Sequence, residues 1–282
     1  MLRIALPNKG SLAEQGLALI REAGYNCYPH DRELTARDAE NDIEFVFLRP
    51  RDIAVYIGGG IVDVGITGRD LAQDAEVDYA ELLGLRFGKS TFSYAVPKSS
   101  ALTPVQFGGT RIATSYPNLV KNNLAAIGVT AKIVRLDGAV EVSVQLGVAD
   151  VIADVVSSGR TLDQAGLKVV GEPILKSEGI LIARSADLMK RDDVRILHDR
   201  LQGIVVASEY CMMEYDCPAA ILGQACAITP GIESPTISPL AEKDWVAVKA
   251  MTKRKEVNQI MDRLKALGAK GIVVTDIRAC RI

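Results

Sequence analysis

The stretch Val151–Leu162, VIADVVSSGRTL, carries the densest set of reactive and ligand-holding groups in the chain. Val151 to Val155 reads as a strand, and Ser157, Ser158, Gly159, Arg160 and Thr161 read as the loop and helix start that follow it. Gly159 permits a positive φ and lets the backbone approach a ligand closely. Successive N–H groups around it would form a concave anion nest. Thr161 with Gln164 reads as a capping box, which would start a helix at the loop and aim its positive end at the same anion. Ser157, Ser158 and Thr161 add hydroxyl donors and Arg160 adds charge, so a phosphate monoester is the natural occupant. Asp154 at the strand end could accept hydrogen bonds from two vicinal hydroxyls, and Glu141 on the preceding helix could share that role. Together these features describe a sugar with a terminal phosphate. The simpler alternative is a serine-rich surface turn capped by Thr161.

Other candidates are weaker singly. Lys9, in Pro7–Gly10 (PNKG), precedes a helix start and suits a pyrophosphate; Arg49, just before Pro50, could do the same. Each could equally be a solvated surface charge. Tyr116 follows a strand end and could either stack on a base or pack against the next helix. The segment Asp63–Leu71, DVGITGRDL, echoes Asp154–Leu162, DVVSSGRTL. Either strand-to-helix turns simply look alike, or two related lobes each offer one such turn to a shared cleft, at the carboxyl ends of strands where α/β sheets bind ligands. His30 and His198 have no nucleophile partner in view. The five cysteines, at 27, 211, 217, 226 and 280, form no CxxC pair and read as free thiols.

The elements that must position these groups follow an α/β rhythm. Arg3 to Leu6 is a strand, and Ser11 with Glu14 reads as a capping box opening a helix that Gly24 ends. Strands are expected at Glu44–Leu48, Val62–Ile66, Phe92–Val96, Arg111–Thr114, Ala131–Leu136 and Val151–Val155. Helices are expected after Pro50, Gly68 and Pro117 and over Gly138–Leu146. This alternation predicts a largely parallel sheet, with a second lobe beginning near Ser90. The last third differs. Ile204–Glu214 reads as a strand, Pro218–Cys226 as a helix, Trp245–Met251 as a strand, Arg254–Leu267 as an amphipathic helix and Gly271–Thr275 as a strand. With Ile232–Pro239 included, the order is β-α-β-β-α-β, the ferredoxin-like pattern.

Apolar residues make up 48% of the 282, and charged residues 24%, which is ordinary for a globular protein. A formal net charge of −2 argues against a nucleic-acid partner. No apolar run approaches the roughly 20 residues that span a bilayer. Pro7, Asn8 and Lys9 interrupt the first apolar run at once, so no secretory signal and a cytoplasmic location are expected.

Five motifs in order, Pro7–Gly10 (PNKG), Phe47–Pro50 (FLRP), Gly65–Asp70 (GITGRD), Arg135–Glu141 (RLDGAVE) and the phosphate loop, resemble the ATP phosphoribosyltransferase family. Thr229–Gly231, Ser234–Thr236 and Asp276–Arg278 are similar to its long form with a C-terminal regulatory domain. The resemblance covers the whole chain. It implies a catalytic part similar to type II periplasmic binding proteins, with lobe I at 1–89 and 176–205 and lobe II at 90–175. An ACT-like regulatory domain would occupy 206–282. It implies ATP and phosphoribosyl pyrophosphate as substrates, Mg²⁺ with ligands unknown, and a homo-oligomer that interconverts between dimer and hexamer. Ser157, Ser158, Gly159, Arg160 and Thr161 would hold the ribose 5-phosphate, and Glu141 and Asp154 its hydroxyls. Lys9 and Arg49 would act on the pyrophosphate or ATP phosphates, Tyr116 would face adenine, and Asp70 would join the substrate-binding set. Histidine would inhibit through Asp216, Thr236 and the backbone of Gly271. Similar sequences also carry alanine at that last position, and the difference is expected to matter little.

Two rival readings stand beside it. One is a nucleobase phosphoribosyltransferase of the Rossmann-like type, which normally has two adjacent acidic residues where this chain has Ala153 and Asp154. The other is a two-lobed sensor or solute-binding protein with an amino-acid-binding tail.

Overall fold

The computed structural model describes residues 1–28, 33–157 and 159–281, so His30 and Ser158 lie outside the described residues. The chain divides into two compact units, Met1–His198 and Asp199–Ile282.

The first unit begins with strand β1 (Leu2–Pro7) and helix α1 (Ser11–Glu22). There follow β2 (Thr35–Asp38), β3 (Ile43–Leu48), α2 (Pro50–Gly58), β4 (Val64–Gly68), α3 (Arg69–Asp74) and β5 (Ala80–Gly84). The chain then enters a second sheet with β6 (Ser90–Pro97), β7 (Arg111–Thr114), α4 (Pro117–Ala126), β8 (Lys132–Arg135), β9 (Val151–Val156), α5 (Arg160–Gln164) and β10 (Leu167–Ser177). It returns to the first sheet with β11 (Gly179–Ala183) and continues into α6 (Asp192–Glu209). The sheet orders are β2-β3-β1-β4-β11-β5 and β10-β6-β9-β7-β8. The two segments that cross between sheets are bonded to each other: Gly179 N–H donates to Phe87 O at 2.8 Å, and Leu85 N–H donates to Gly179 O at 2.8 Å.

Both sheets are mixed, which corrects the expectation of a largely parallel one. β1 runs parallel to β3 and β4, and β7 parallel to β8 and β9, but β2, β5, β6, β10 and β11 all pair antiparallel. The parallel core was visible because its strands are apolar runs between glycine-ended helices. β10 is interrupted by Gly171 and Pro173 and is mostly solvated, so it lacks that signature.

Local signals misled in four places. Gly10, not Ser11, is the N-cap of α1, and Gly159, not Thr161, that of α5; neither helix has a side-chain cap, so neither capping box forms. Residues 138–146 make only a 3-10 turn at Val140–Val142, entered through Ala139 in the left-handed region, rather than a helix. Residues 204–209 are the end of α6, not a strand. Their β-branched run continues a buried series Val194, Leu197, Leu201, Ile204 and Val205 at helical spacing.

The second unit contains β12 (Tyr210–Pro218), α7 (Leu222–Ile228), β13 (Thr236–Pro239), β14 (Trp245–Lys253), α8 (Val257–Leu267) and β15 (Lys270–Asp276). All pairings are antiparallel and the order is β13-β14-β12-β15, the ferredoxin-like topology. Alternate residues of β12, Cys211, Met213, Tyr215 and Cys217, are buried; Met213, Tyr215 and Cys217 pack in one core with Ile260 and Leu264 of α8. All five cysteines are free. No described helix is long and apolar enough to cross a membrane.

Candidate active site

β9 is the middle strand of its sheet and ends at Val156, two residues past Asp154. Gly159 then turns with φ +70°, a conformation that favours glycine, and α5 begins at Arg160. The first intrahelical bond is donated by Asp163 N–H to Gly159 O at 3.0 Å. The N–H groups of Thr161 and Leu162 therefore precede the first helical bond and suit an anion. A cavity of about 160 Å³ is lined by Glu141, Asp154, Ser157, Gly159 and Thr161, together with Val155, Val156 and Leu162. Five of the predicted sugar-phosphate residues thus share one cup. Arg160 starts the helix without lining the cup.

Asp154 is held by its own strand, its Oδ1 accepting the Val155 N–H at 2.8 Å. Burial raises its carboxyl above the ordinary range, and the nearby charges of Glu141 and Asp70 add to the effect. The cup therefore favours partners that relieve negative charge or donate hydrogen bonds, such as vicinal hydroxyls or a cation.

A second concavity of about 320 Å³ adjoins it, lined among others by Ser11, Asp70, Lys89, Tyr116, Ser157 and Ser177. Asp70 is 6% exposed. Its N–H donates to Ser177 Oγ at 3.1 Å, and that hydroxyl donates back to Asp70 Oδ1 at 2.7 Å. Burial drives the Tyr116 hydroxyl well above its ordinary pKa, and its hydrogen bond to Asp70 pushes the same way. The Tyr116 ring already packs on Phe92, centroids 5.0 Å apart, and under the Arg51 guanidinium at 4.7 Å. A wider basic concavity of about 550 Å³ is lined by Arg69, Arg86, Lys89 and Lys176, with Glu178 opposing them. Arg69 is bound to Glu81 at 2.6 Å and Glu178 at 3.1 Å. Ser157 lines all three concavities, so they meet at the phosphate loop.

Lys9 and Arg49 form a separate pair. β1 and β3 are parallel and end together, Pro7 opposite Leu48, with Asn8 N–H donating to Leu48 O at 2.8 Å. Lys9 precedes the N-cap of α1 and Arg49 is the N-cap of α2, so two helix starts and two exposed cations stand side by side. Neither lines the three concavities above.

In the second unit Asp216 and Gly271 are neighbours across β12 and β15, at a bulge between Glu214 and Asp216. Thr236 lies on β13, beyond β14. Gly271 has φ +58°, and a Cβ there would come 3.3 Å from Asp216 Oδ2. A side chain at this position would therefore be strained. Sequence reading missed Ser177, Lys89, Lys176, Arg51 and Asp74, which carry no motif. Only the proximity of Lys89 to the expected lobe start at Ser90 offered a signal.

Two family models match the chain: HisG, ATP phosphoribosyltransferase, over residues 49–203, and HisG, C-terminal domain, over 207–279. The ATP phosphoribosyltransferase of Salinibacter ruber is 56% identical over 283 residues, and that of Mycobacterium tuberculosis 53% over 283, each covering all of both chains. The chain belongs to the ATP phosphoribosyltransferase family, in its long form. It is accordingly an enzyme of histidine biosynthesis, a transferase acting on phosphoribosyl groups, and both rival readings fall. Among solved structures, the ATP phosphoribosyl transferase (HisG:HisZ) complex from Thermotoga maritima aligns at a TM-score of 0.63 and 26% identity, over 72% of this chain and 96% of that one. That alignment agrees with an ATP phosphoribosyltransferase fold.

Proposed function

We propose that the chain transfers the phosphoribosyl group of phosphoribosyl pyrophosphate to N1 of the adenine ring of ATP. The products are phosphoribosyl-ATP and pyrophosphate, this is the first step of histidine biosynthesis, and histidine bound in the tail inhibits it. The observation that carries the reading is the cup around Asp154, where a sugar-sized cavity joins carboxylates to an anion-binding helix start. Ser157 to Thr161 would take the 5-phosphate, Glu141 and Asp154 the ribose hydroxyls, and Asp70 and Tyr116 the adenine side. Lys9 and Arg49 would face the phosphates at the ends of β1 and β3. Lobe I (1–89 and 176–205) and lobe II (90–175) would form the catalytic part, like a type II periplasmic binding protein. Residues 206–282 would be the ACT-like regulatory domain, with Asp216, Thr236 and Gly271 meeting histidine. We place the enzyme in the cytoplasm as a homo-oligomer exchanging between dimer and hexamer.

The reaction is a displacement at the anomeric carbon: the bond to adenine N1 forms, the bond to pyrophosphate breaks, and configuration inverts. Adenine N1 already has a lone pair, so no strong base is required. Rate would come from holding the two substrates in line and from cations stabilising the leaving pyrophosphate. Among the described residues no three His, Cys, Asp or Glu side chains stand close enough to hold a metal ion alone. Magnesium commonly binds through one or two carboxylates plus substrate phosphates, and the negative surplus at Asp154 and Glu141 fits that mode. When bound, it would neutralise charge on the pyrophosphate.

The test is pyrophosphate release from ATP, phosphoribosyl pyrophosphate and Mg²⁺, with and without histidine, alongside free nucleobases as acceptors. Release with ATP alone as acceptor, suppressed by histidine, is expected. Release with free bases but not ATP would overturn the reading.

A further inference from the structure

Helix α4 has no cap of its own. Tyr116 stands at its N-cap without a side-chain bond to the first turn, and Pro117 at N1 has no N–H to offer. The next two N–H groups, of Asn118 and Leu119, are satisfied from the other sheet. Both donate to Oδ1 of Asp74, at the end of α3, at 2.9 and 3.1 Å. The Asn118 side-chain amide donates to the Asp74 backbone carbonyl at 2.7 Å. The other oxygen of the carboxylate, Oδ2, accepts from Arg51 Nη1 at 2.6 Å, and the same guanidinium lies 4.7 Å from the Tyr116 ring centroid. The Asp74 side chain is 4% exposed.

These bonds join elements of different origin. α2 and α3 follow strands β3 and β4 of the first sheet, and α4 follows β7 of the second. The short helix α3 therefore grips the second sheet at both ends: Asp70 holds Ser177 and Tyr116 at its start, and Asp74 holds α4 at its finish. A buried carboxylate with this many charge-assisted partners resists displacement, because moving it strips all of them at once. Neither Asp74 nor Arg51 lines the concavities around Ser157.

We propose that Asp74 is a positioning residue for phosphoribosyl transfer, with Arg51 as its partner: the pair fixes α4 and Tyr116 against the first sheet and so sets the cleft that Asp70, Tyr116 and Ser157 line. This rests on the reaction proposed above. Displacement chemistry depends on in-line placement of two substrates, so loosening the clasp acts on turnover rather than on binding.

The decisive variant is Asp74→Asn, which keeps the shape and one acceptor but loses the charge facing Arg51. Its kcat should fall about 10- to 100-fold. KM for ATP and for phosphoribosyl pyrophosphate should stay within about threefold. Hydrogen exchange at the Asn118 and Leu119 amides should quicken while β7 keeps its protection. Arg51→Met, at a partly exposed side chain, gives a second route if Asp74→Asn fails to fold. Its kcat should fall about tenfold, and the two losses should not multiply in the double variant. Wild-type kcat in folded Asp74→Asn, a loss carried by KM alone, or independent losses in the double variant would overturn the proposal. Absence of product from the wild-type chain would instead remove the proposed reaction. The exchange readout would then judge the clasp, and unchanged protection at Asn118 and Leu119 would refute it.

Discussion

Gly68 and Gly159 each stand at the N-cap of a short helix whose first residue is arginine, and each ends or follows a strand of its own sheet. The two turns line one chamber, through Gly68, Asp70 and Leu71 on one side and Ser157 on the other. Their backbones differ. Gly68 is extended with φ −82°, and β4 runs straight into α3, whereas β9 stops at Val156 and Gly159 is left-handed. Their charges differ as well. Asp63 stands before the start of β4, where it accepts from Arg191 at 2.6 Å and from Arg3 N–H at 2.8 Å. Among the described residues, Asp154 sits inside β9 beside other carboxylates and without an arginine among its bonds. One echo is tied into the scaffold by ion pairing, and the other faces a cup beside like charges, where we propose the ligand sits.

Exchanging the carboxylates is the strongest way to break this contrast. Asp154→Asn should lower turnover by about 10²-fold or more while the fold survives. Asp63→Asn should leave turnover near wild type and cost only about 1 kcal/mol of stability, as expected for a half-exposed pair. Steady-state rates and thermal melts of the two variants check both halves, and equal loss of rate would erase the distinction.

The glycines come next. Gly159→Ala forces a side chain into the left-handed region at about 1–2 kcal/mol. If the loop yields, KM for phosphoribosyl pyrophosphate should rise about tenfold. Gly68→Ala meets no such strain, but its Cβ would collide with Asp70 Oδ1. It should therefore disturb the Asp70–Ser177–Tyr116 chain and affect ATP more than the sugar phosphate. Substrate-by-substrate KM values separate the two mechanisms.

A smaller effect lies in pH. The Asp154 carboxyl is raised in the folded state, so the native protein binds its proton more tightly than the unfolded chain. The stability this group contributes is present below its ordinary pKa and is lost as pH rises through the raised value. Asp154→Asn without ligands should thus melt higher than wild type near neutral pH, with the gap closing as pH falls toward the ordinary aspartate range. A constant gap across pH would show that the burial of Asp154 is not what raises it. In the tail, Asp216→Ala should weaken histidine inhibition and leave the basal rate unchanged; undiminished inhibition would place the effector elsewhere.

The cup was legible in the sequence because its donors and carboxylates lie within residues 141–161, and one strand-loop-helix passage brings them together. Lys9 and Arg49 were legible singly, as charges beside helix starts, but their adjacency depends on β1 pairing with β3. The Asp70–Ser177 bond spans 107 residues and the Asp74–Asn118 bond 44, distances over which no local pattern reaches. Antiparallel β11 reads as a short apolar run that periodicity alone does not assign. The β-branched end of α6 looks like a strand until burial at helical spacing overrides propensity.

The most direct test is a crystal structure with phosphoribosyl pyrophosphate and Mg²⁺ bound. The expected result puts the 5-phosphate on the N–H groups from Gly159 to Leu162 and the ribose hydroxyls on Glu141 and Asp154. A sugar phosphate seated instead at the Gly68 turn, with the Asp154 cup empty, would contradict it.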